Sequence, residues 1–563
     1  METNTVALDC ETEEWGATGT SARTAALKGI SIAYSDEFGE YVTDPDKYST
    51  LYDGQEAIFH HAKFDIPKIE KATGKVFTKW QDTRIAAHLI NENRLNGLKP
   101  LARDLLNEEV VEYKKLDKTD ADAFADYATN DALFTRRLWP IFEQELKEQG
   151  LTEVYELEKA LVPVIIAMED AGIQIDMKSF ESLKTTIGDN LAASHSQVFQ
   201  IILEAKLTGK ISGEYDKDTL NLNSVAQLKK LLFDDFKIIP SQIKTTPKGN
   251  VSLDKEALQY IDHPIAKAII EYKKYYKLQT AFINSLPGHI VKNRIHAEYN
   301  ATGTVTGRFS VSNPNMQQVP AHTDLGKQLR NCFIAGRGKK FVVADYSAME
   351  LRVLAHYSRD KTLLDAFKNN KDPHLMTAKK IFNKDVDKKS EERQIAKMVN
   401  FGVVYGISSM GLQRRLRALG INKTEGECQH FINLYFQSHP GVKNFLDEVR
   451  HVIINRGYVK TLYGRRRRLD GRSGREIRQA GNFVIQGSSA DLIKQAMIDI
   501  HAELPANARI VAMIHDELVV ECKEKDAEKV KDIIKRCMET PKKKLFVPIT
   551  VDEHIVDRWG DSK

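Results

Sequence analysis

Two aspartates border apolar segments in the C-terminal half of the 563-residue chain. Asp345 directly follows the apolar residues 341–344, and Asp516 lies between two apolar runs in residues 509–521. The first pattern is typical of a buried strand, and the second of a tight hairpin with charged residues at its tip. An aspartate at a strand end is by itself more often a turn or cap residue. If the hairpin pairs with the strand, however, the two carboxylates meet, and their repulsion requires divalent cations whose remaining ligands a triphosphate can supply.

The segment EERQIAKMVNFGVVYG, residues 391–406, places two cations and two aromatic side chains at successive i+4 positions. On an α-helix these residues form one stripe, and Gly402 within it indicates that some group approaches the backbone closely. A packing helix does not normally align cations with its aromatics, whereas a nucleoside triphosphate has an anionic tail and a flat base in this order. The pattern therefore predicts a helix that binds a nucleoside triphosphate. The stripe consists of Arg393, Lys397, Phe401 and Tyr405.

The first 150 residues combine an α/β pattern with acidic residues at strand ends. Asp9 and Glu11 alternate at the end of a predicted strand and so point to the same side. Asp65 follows a later strand, and Asp131 lies one helical turn after Tyr127. Each residue alone is unremarkable, but four converging carboxylates can hold two Mg²⁺ ions about 4 Å apart, which is the chemistry of phosphodiester hydrolysis. The predicted strands span residues 6–8, 30–33 and 57–59, and the predicted helices span residues 83–92, 98–106 and 121–138.

Residues 302–320, TGTVTGRFSVSNPNMQQVP, are rich in Gly, Ser, Asn and Pro and are predicted to form a structured loop. Arg308 is the only cation of this segment. Its guanidinium can bind a phosphate or a base edge through two hydrogen bonds, and it can equally stabilise the loop through an ion pair. The sequence leaves both alternatives open.

Positive charge is concentrated in residues 456–478, although the net charge of the whole chain is only +4. Such a density of Lys and Arg repels itself unless a polyanion is near, so we expect this segment to face nucleic acid. Arg478, Asn482 and Gln486 then share one face of a predicted helix. Asn and Gln at this spacing can contact base edges in the minor groove, where the acceptors are nearly the same for every pair.

Length and composition place these candidates in a large protein that folds in solution. The length predicts three or four domains or subdomains, and no apolar run reaches the length of a membrane span. Five scattered cysteines without C-x-x-C spacing indicate reduced core residues, and the first strand begins too early to leave room for a targeting signal, so we expect a cytoplasmic location. Residues 151–299 are predicted to be a lysine-rich helical arm, with one helix ending near Gly172 and a turn-rich stretch at 241–254.

The acidic residues near the N-terminus lie in the segments LDCETEE, HHAKFD and YATNDALFT, which resemble the three motifs of 3′–5′ proofreading exonuclease domains of the DnaQ-like superfamily. The resemblance implies metal ligation by the four carboxylates and orientation of the attacking water by Tyr127. His61 stands where the superfamily more often has Asn, which leaves the substrate contact at this position open. The implied metal ligands are Asp9, Glu11, Asp65 and Asp131.

The segments DYSAMELR, RQIAKMVNFGVVYG and HDE resemble motifs A, B and C of family A (Pol I-like) DNA polymerases, and the resemblance covers nearly the whole chain. It implies an α/β exonuclease domain followed by an α+β right-hand polymerase domain, with an antiparallel sheet in the palm and helical fingers and thumb. The expected boundaries are 1–150 for the exonuclease domain, 151–300 for the thumb and the start of the polymerase domain, 301–370 for the palm with motif A, 371–480 for the fingers with motif B, and 481–563 for the palm with motif C.

The resemblance also implies roles for individual residues. Asp345 and Asp516 hold two catalytic Mg²⁺ ions, for which Mn²⁺ can substitute, and Glu517 is a supporting carboxylate. Lys397 also protonates the pyrophosphate leaving group, and Glu350 excludes a ribose 2′-OH. The residues expected to bind the dNTP are Arg393, Lys397, Phe401, Tyr405 and Glu350. The residues expected to contact primer-template DNA are Arg308, Arg478, Asn482, Gln486 and His515.

Two positions depart from the family pattern, since Ala348 stands where Gln is usual and Met513 where Gln is frequent. The resemblance implies a monomer that acts on primer-template DNA and dNTPs, with replisome proteins such as a helicase or a single-strand-binding protein as further partners and no membrane. We expect the chain to lack the 5′ nuclease domain that bacterial relatives carry. This compact form is compatible with a phage origin, in which case the location is the cytoplasm of the bacterial host.

Three alternative functions remain open from the sequence. One is a single-subunit RNA polymerase, against which Glu350 and the exonuclease motifs argue. Another is a non-catalytic DNA-binding relative, against which the complete set of motif carboxylates argues. The third is a protein in which the exonuclease alone is active.

Overall fold

The computed structural model describes residues 5–13, 25–52, 54–238, 251–321 and 323–562. Most of the turn-rich stretch predicted at 241–254 lies outside these residues. All five cysteines are free and buried, as the sequence predicts. None of the helices in the described ranges is both long and apolar enough to cross a membrane.

The N-terminal region is a mixed sheet flanked by helices. The strand order is β3-β2-β1-β4-β5, with β1 antiparallel to β2 and parallel to β4. The strands are β1 (Thr5–Thr12), β2 (Leu27–Ala33), β3 (Gly39–Val42), β4 (Glu56–Phe59) and β5 (Trp80–Asp82). The helices are α1 (Pro45–Tyr48), α2 (Ala62–Thr73), α3 (Thr83–Ile90), α4 (Leu98–Leu106) and α5 (Ala121–Glu148). The predicted elements are confirmed, whereas α1, α2, β3 and β5 were missed. The last helix runs ten residues beyond its predicted end at Leu138.

A helical arm with its own small core follows this region. Its first helix ends at Ala171 as predicted, because Gly172 takes the positive φ of 55° that turns the chain. The outer parts of the arm share an apolar core separate from that of the rest of the chain. The helices are α6 (Thr152–Ala171), α7 (Met177–Leu207), α8 (Val225–Lys229), α9 (Lys255–Leu258) and α10 (Pro264–Leu278). The short strands β6 (Ile173–Gln174), β7 (Ile290–Val291) and β8 (Arg294–Ile295) form a sheet of order β6-β8-β7 at the base of the arm.

The segment predicted as a loop at 302–320 is more regular than expected. Strand β9 (Glu298–Asn300) leads into it and pairs antiparallel with β10 (Ser310–Ser312), which lies inside it. A short 3₁₀ turn at Met316–Gln318 follows. The Gly- and Pro-rich composition concealed these elements because each is only three residues long.

The remaining chain forms a central sheet and a helical subdomain. The first elements of this part are α11 (Asp324–Arg330), the sheet strand β11 (Lys339–Tyr346) and α12 (Met349–Ser358). The helical subdomain comprises α13 (Lys361–Lys368), α14 (Pro373–Phe382), α15 (Glu391–Val404), α16 (Ser409–Ala418), α17 (Glu425–Ser438) and α18 (Pro440–Arg456). The chain returns through β12 (Tyr458–Lys460), β13 (Arg466–Arg468), α19 (Gly474–Glu503), β14 (Arg509–Ile514), β15 (Glu517–Lys523), α20 (Ala527–Glu539) and β16 (Val551–Val556).

The central sheet has the order β14-β15-β11-β16, and each neighbouring pair is antiparallel. Strand β11 lies inside the sheet, and its residues Phe341, Val342, Val343 and Ala344 are almost completely buried. A strand covered on both faces reads as a continuous apolar run, which is the pattern that the sequence shows before Asp345. The predicted hairpin is β14 and β15, and it pairs with β11 as predicted.

Four arginines of the basic segment do not face a polyanion, and the prediction is wrong for them. Arg467 and Arg468 pair with Glu92 at 3.1 and 2.6 Å. Arg466 donates to the backbone carbonyl of Gln149. The carboxylate and the carbonyl come from the N-terminal region, more than 300 residues away in sequence, so the local charge density gave no sign of them. Of the basic residues in this segment, the exposed ones are Arg456, Lys460, Arg472, Arg475 and Arg478.

Arg465, the fourth of these arginines, belongs to a buried cluster of two cations and two carboxylates. Its guanidinium pairs with Asp491 at 2.7 Å and with Glu158, which also accepts from Lys494 at 2.6 Å. The side chains of Arg465, Glu158 and Lys494 are only 3%, 1% and 0% exposed. Burial raises the pKa of the Glu158 carboxyl, but the charges of Lys494 and Arg465 outweigh burial and hold the pKa below its usual range. The cluster therefore ties α6 to α19 and to the β12–β13 hairpin.

We expect Glu158→Gln to lower the free energy of unfolding by about 3–5 kcal/mol, because it leaves two buried cations with one carboxylate fewer. Urea denaturation followed by circular dichroism measures the change. The matched control is Glu181→Gln, which breaks an exposed pair with Lys184 and should change the free energy by less than about 0.5 kcal/mol. Equal effects of the two substitutions would contradict a structural role for the buried cluster.

Candidate functional site

The central sheet brings three carboxylates together at one end of β11. Asp345 is paired across the strands with Glu517 on one side and with Asp552 on the other, so the three side chains share one face. Asp516 lies in the two-residue turn before β15, and its carbonyl accepts from the backbone N–H of Tyr346 at 3.2 Å. Asp345 lies close enough to Asp516 for its charge to raise the pKa of the Asp516 carboxyl, and joint ligation of a metal by the two residues stays a prediction. Asp552 was missed from the sequence, because nothing local predicts that the last strand pairs beside β11.

The charges around Asp516 favour a bound cation. Burial raises the pKa of its carboxyl to about 6; the cation of Arg308 opposes this shift, whereas the carboxylates of Glu350 and Asp345 add to it. An open cavity of about 390 Å³ adjoins Asp345 and is also lined by Glu517 and Asp552. Crowded carboxylates beside an open cavity suit a divalent cation with oxygen ligands.

Two buried side chains fix the carboxylate of Glu517 by hydrogen bonds. Its Oε1 accepts from the indole N–H of Trp559 at 2.7 Å and from the guanidinium of Arg330 at 3.2 Å. Both partners are buried. The arrangement suits the supporting role expected of this carboxylate more than direct exposure to a ligand.

Helix α15 presents the predicted stripe. It begins after the N-cap Ser390, buries residues such as Ile395 and Val399, and leaves Lys397 exposed. The helix ends at Val404, so the prediction to residue 406 was too long, and Tyr405 is the C-cap. The close approach inferred at Gly402 comes from the chain itself, since a Cβ there would lie 2.7 Å from Ile407.

Neighbouring side chains hold both ends of the stripe. The guanidinium of Arg393 pairs with Asp372, the N-cap of α14, at 2.7 Å. The ring of Phe401 lies against His374, with ring centroids 5.4 Å apart. His374 is buried, and its pKa is lowered to about 4, mainly by that burial. Asp372 and His374 were not identified from the sequence, although an Asp followed by Pro, as in the DPH of residues 372–374, is a recognisable signal for the start of a helix.

Glu350 joins the loop, the sheet and the helical subdomain. Its carboxylate accepts from the guanidinium of Arg308 and from the hydroxyl of Tyr405. Of the two alternatives for Arg308, the structure shows the ion pair, and a contact with nucleic acid stays a prediction. The side chain of Arg308 is still 38% exposed.

The face of α19 that carries Arg478, Asn482 and Gln486 lies next to the end of α15. Arg478 is exposed, and its aliphatic stem lies so close to Gly406 that any Cβ there would clash with it. Gln486 is half-buried and hydrogen-bonds to the hydroxyl of Tyr405. Asn482 is also half-buried, on the same face. The tip of the β14–β15 hairpin presents an exposed His515.

A second acidic centre lies in the N-terminal region, about β1 and α5. Carboxylate oxygens of Asp9, Glu11 and Asp131 lie within 4.8 Å of one another. Burial and the neighbouring carboxylates raise the pKa of Asp9, and burial followed by Asp131 raises that of Glu11 to about 7. Tyr127 donates a hydrogen bond to Asp131. The arrangement suits divalent cations.

Asp65 is not part of this three-residue cluster. Its Oδ1 accepts from the backbone N–H of Cys10 at 3.3 Å and from the Cys10 thiol at 3.2 Å. It lies close enough to raise the pKa of Asp9, so its role as a fourth metal ligand stays a prediction. His61 is the N-cap of α2, and its ring stacks on Phe64 with centroids 6.1 Å apart.

Comparison with known proteins places both centres in known families. Residues 190–561 match DNA polymerase family A, and residues 1–147 match a 3′-5′ exonuclease family. The chain is 33% identical to DNA polymerase I of Chloroflexus aurantiacus over 89% of this chain and 54% of the relative. It is 35% identical to the thermostable DNA polymerase I of Thermus aquaticus over 77% of this chain and 51% of the relative.

A solved structure of the polymerase domain of Pol1 from M. smegmatis, in complex with a DNA primer-template and dNTP, aligns with a TM-score of 0.84 and 28% identity. The alignment covers 99% of this chain and 95% of that chain. The chain spans about half the length of the curated relatives that it matches. The strand register, the stripe on α15 and these matches lead to one conclusion: the chain belongs to DNA polymerase family A and carries a 3′-5′ exonuclease domain at its N-terminus.

Proposed function

We propose that this chain is a template-directed DNA polymerase that adds dNTPs to a primer 3′ end and removes mispaired ends with its 3′–5′ exonuclease. The observation that carries the proposal is the position of Asp345 at the end of β11 near Asp516, with the Glu350 carboxylate beside Asp516 and bonded to Tyr405 at the end of α15. This arrangement offers carboxylates for metal, cations for a triphosphate and aromatics for a base in one cleft.

Divalent cations fit both centres. Asp345 and Asp516 would hold them in the polymerase centre, and the cluster of Asp9, Glu11 and Asp131 would hold them in the exonuclease centre, with Asp65 nearby. Bound Mg²⁺, for which Mn²⁺ can substitute, supplies Lewis acidity and lowers the pKa of a bound hydroxyl or water. The mutually repelling carboxylates, which are half-buried or buried, support this assignment.

The residues of the cleft then have distinct tasks in synthesis. Arg393 exchanges its pair with Asp372 for the triphosphate, and the exposed Lys397 binds the same anion and protonates the pyrophosphate. Phe401 and Tyr405 stack near the base and sugar, and Glu350 occupies the space that a ribose 2′-OH needs. The residues that contact primer-template DNA are Arg308, Arg478, Asn482, Gln486 and His515.

The exonuclease centre hydrolyses the terminal phosphodiester of a frayed 3′ end. Tyr127, held by its hydrogen bond to Asp131, orients the attacking water. We further propose that the protein acts as a monomer in the cytoplasm and works with replisome proteins such as a helicase or a single-strand-binding protein.

The two centres should be separable by mutation. We expect Asp345→Ala to reduce primer extension at least about 10³-fold and to leave degradation of single-stranded DNA intact, because a metal ligand contributes several kcal/mol to transition-state stabilisation. Asp9→Ala should do the reverse. Extension of a labelled primer and its degradation without dNTPs measure the two activities. Full extension by Asp345→Ala would overturn the assignment of the polymerase centre.

Glu350→Ala should lower the preference for dNTPs over rNTPs about 10–200-fold, since a lost pocket contact is worth about 1–3 kcal/mol. The measurement is the ratio of kcat/KM for dATP and ATP in single-nucleotide extension. Glu528→Ala, which removes an exposed carboxylate of α20 that pairs with Lys531, is the control and should leave the ratio unchanged. A parent enzyme that prefers rNTPs would favour the RNA polymerase alternative.

Phe401→Tyr should relax discrimination against dideoxynucleotides, because a hydroxyl at this position can replace the polar contact that the missing 3′-OH provides. Competition between ddTTP and dTTP in primer extension measures the effect. Phe431→Tyr, an aromatic change on α17 away from the stripe, is the matched control. Unchanged terminator incorporation by Phe401→Tyr would argue against a position for this ring beside the sugar.

A further inference from the structure

Lys99 lies inside the exonuclease centre, where the sequence gave no reason to expect a cation. Its ammonium donates to Oδ1 of Asp131 and lies 3.9 Å from the centroid of the Tyr127 ring. The side chains of Lys99 and Asp131 are only 12% and 10% exposed. The ammonium thus contacts both residues that α5 contributes to the centre.

The fold fixes this position. Lys99 is the second residue of α4, which begins after Gly97 and buries Leu101 and Ala102 completely. The backbone of a packed helix is more rigid than that of a loop, so the position of the Lys99 side chain is restricted. From the first turn of α4 its ammonium reaches the carboxylate of Asp131. The pair of Lys99 and Asp131 is therefore largely shielded from solvent, unlike an ordinary surface ion pair.

Lys99 neutralises part of the charge that a metal would otherwise neutralise. Asp9 and Glu11 lie with Asp131 inside the same 4.8 Å cluster, and the charge of Lys99 acts on all three carboxylates. A divalent cation that binds Asp131 must compete with the ammonium for its oxygens, because a carboxylate oxygen offers few lone-pair sites. Binding of the metal and the pair with Lys99 thus oppose each other.

Resting on the proposed exonuclease function, we propose that Lys99 is a resident counter-ion that competes with the divalent cation for Asp131 and so sets the metal concentration at which proofreading begins. The ammonium holds Asp131 and Tyr127 in place before the metal binds, which makes Lys99 a positioning residue. One consequence is that proofreading requires more free Mg²⁺ than it would without this lysine.

The test is a Mn²⁺ titration of the full chain without DNA, followed by electron paramagnetic resonance. The Asp345→Asn background weakens binding at the polymerase centre, so that the exonuclease centre dominates the signal. We expect Lys99→Met to bind Mn²⁺ about tenfold more tightly, which is the scale at which residues around a metal site alter its affinity. Lys99→Arg keeps the charge and should stay close to the parent affinity.

Two controls identify the site and the cause. Lys147→Met removes an exposed lysine in the last turn of α5, which pairs with Glu143 at 3.0 Å, and it should leave the affinity unchanged. Asp131→Asn added to Lys99→Met should abolish the gain. Lys99→Gln, a neutral side chain that can still hydrogen-bond, replaces Lys99→Met if the latter fails to fold, and it should also bind more tightly.

An affinity of Lys99→Met or Lys99→Gln that equals or falls below that of the parent would overturn the proposal and leave Lys99 a purely structural residue. The half-saturating Mg²⁺ concentration for degradation of a single-stranded oligonucleotide should fall in parallel with the Mn²⁺ dissociation constant. If the parent degrades no DNA, the proposed exonuclease function fails, whereas the Mn²⁺ titration still decides on the competition.

Discussion

The backbone pairing of β11 with its two neighbours is the constraint on which the main site depends. Antiparallel hydrogen bonds place Asp345 opposite both Glu517 and Asp552, and a shift by one residue would turn every side chain of the strand to the other face. The apolar residues before Asp345 make such a shift costly because they are buried. The same burial that stabilises the sheet thus determines where the carboxylates lie.

Side chains extend this constraint from the sheet to the rest of the cleft. Glu350 lies in the first turn of α12, shortly after β11, and its carboxylate accepts hydrogen bonds from Arg308 of the loop and from Tyr405 at the end of α15. Gln486 of α19 reaches the same tyrosine hydroxyl. Four separate segments therefore join one hydrogen-bonded network around Glu350 and Tyr405.

A second set of charges joins the β12–β13 hairpin to the N-terminal region and to α6 of the helical arm. Glu158 and Glu92 neutralise arginines of the β12–β13 hairpin that would otherwise repel one another. Buried ion pairs contribute little net stability compared with apolar contacts, but they are specific, because an unpaired buried charge is costly. The pairs of Glu92 thus specify how the N-terminal region packs on the hairpin, and the pair of Glu158 specifies how α6 packs on it.

Sequence alone determined the strand before Asp345, the hairpin around Asp516, the stripe on α15 and the acidic residues of β1 and α5. Each of these signals is local, since it depends on periodicity or on spacing within a few turns of chain. Such local signals could not predict residues that join a site through contacts between distant parts of the chain. Asp552 joins the site through strand pairing, Lys99 through the packing of α4, and Glu92 and Glu158 across hundreds of residues. Only the tertiary structure decided that the arginines at 465–468 bind protein groups and that Arg308 pairs with Glu350. The partner of each charged side chain is distant in sequence, and the two come together only when the chain folds.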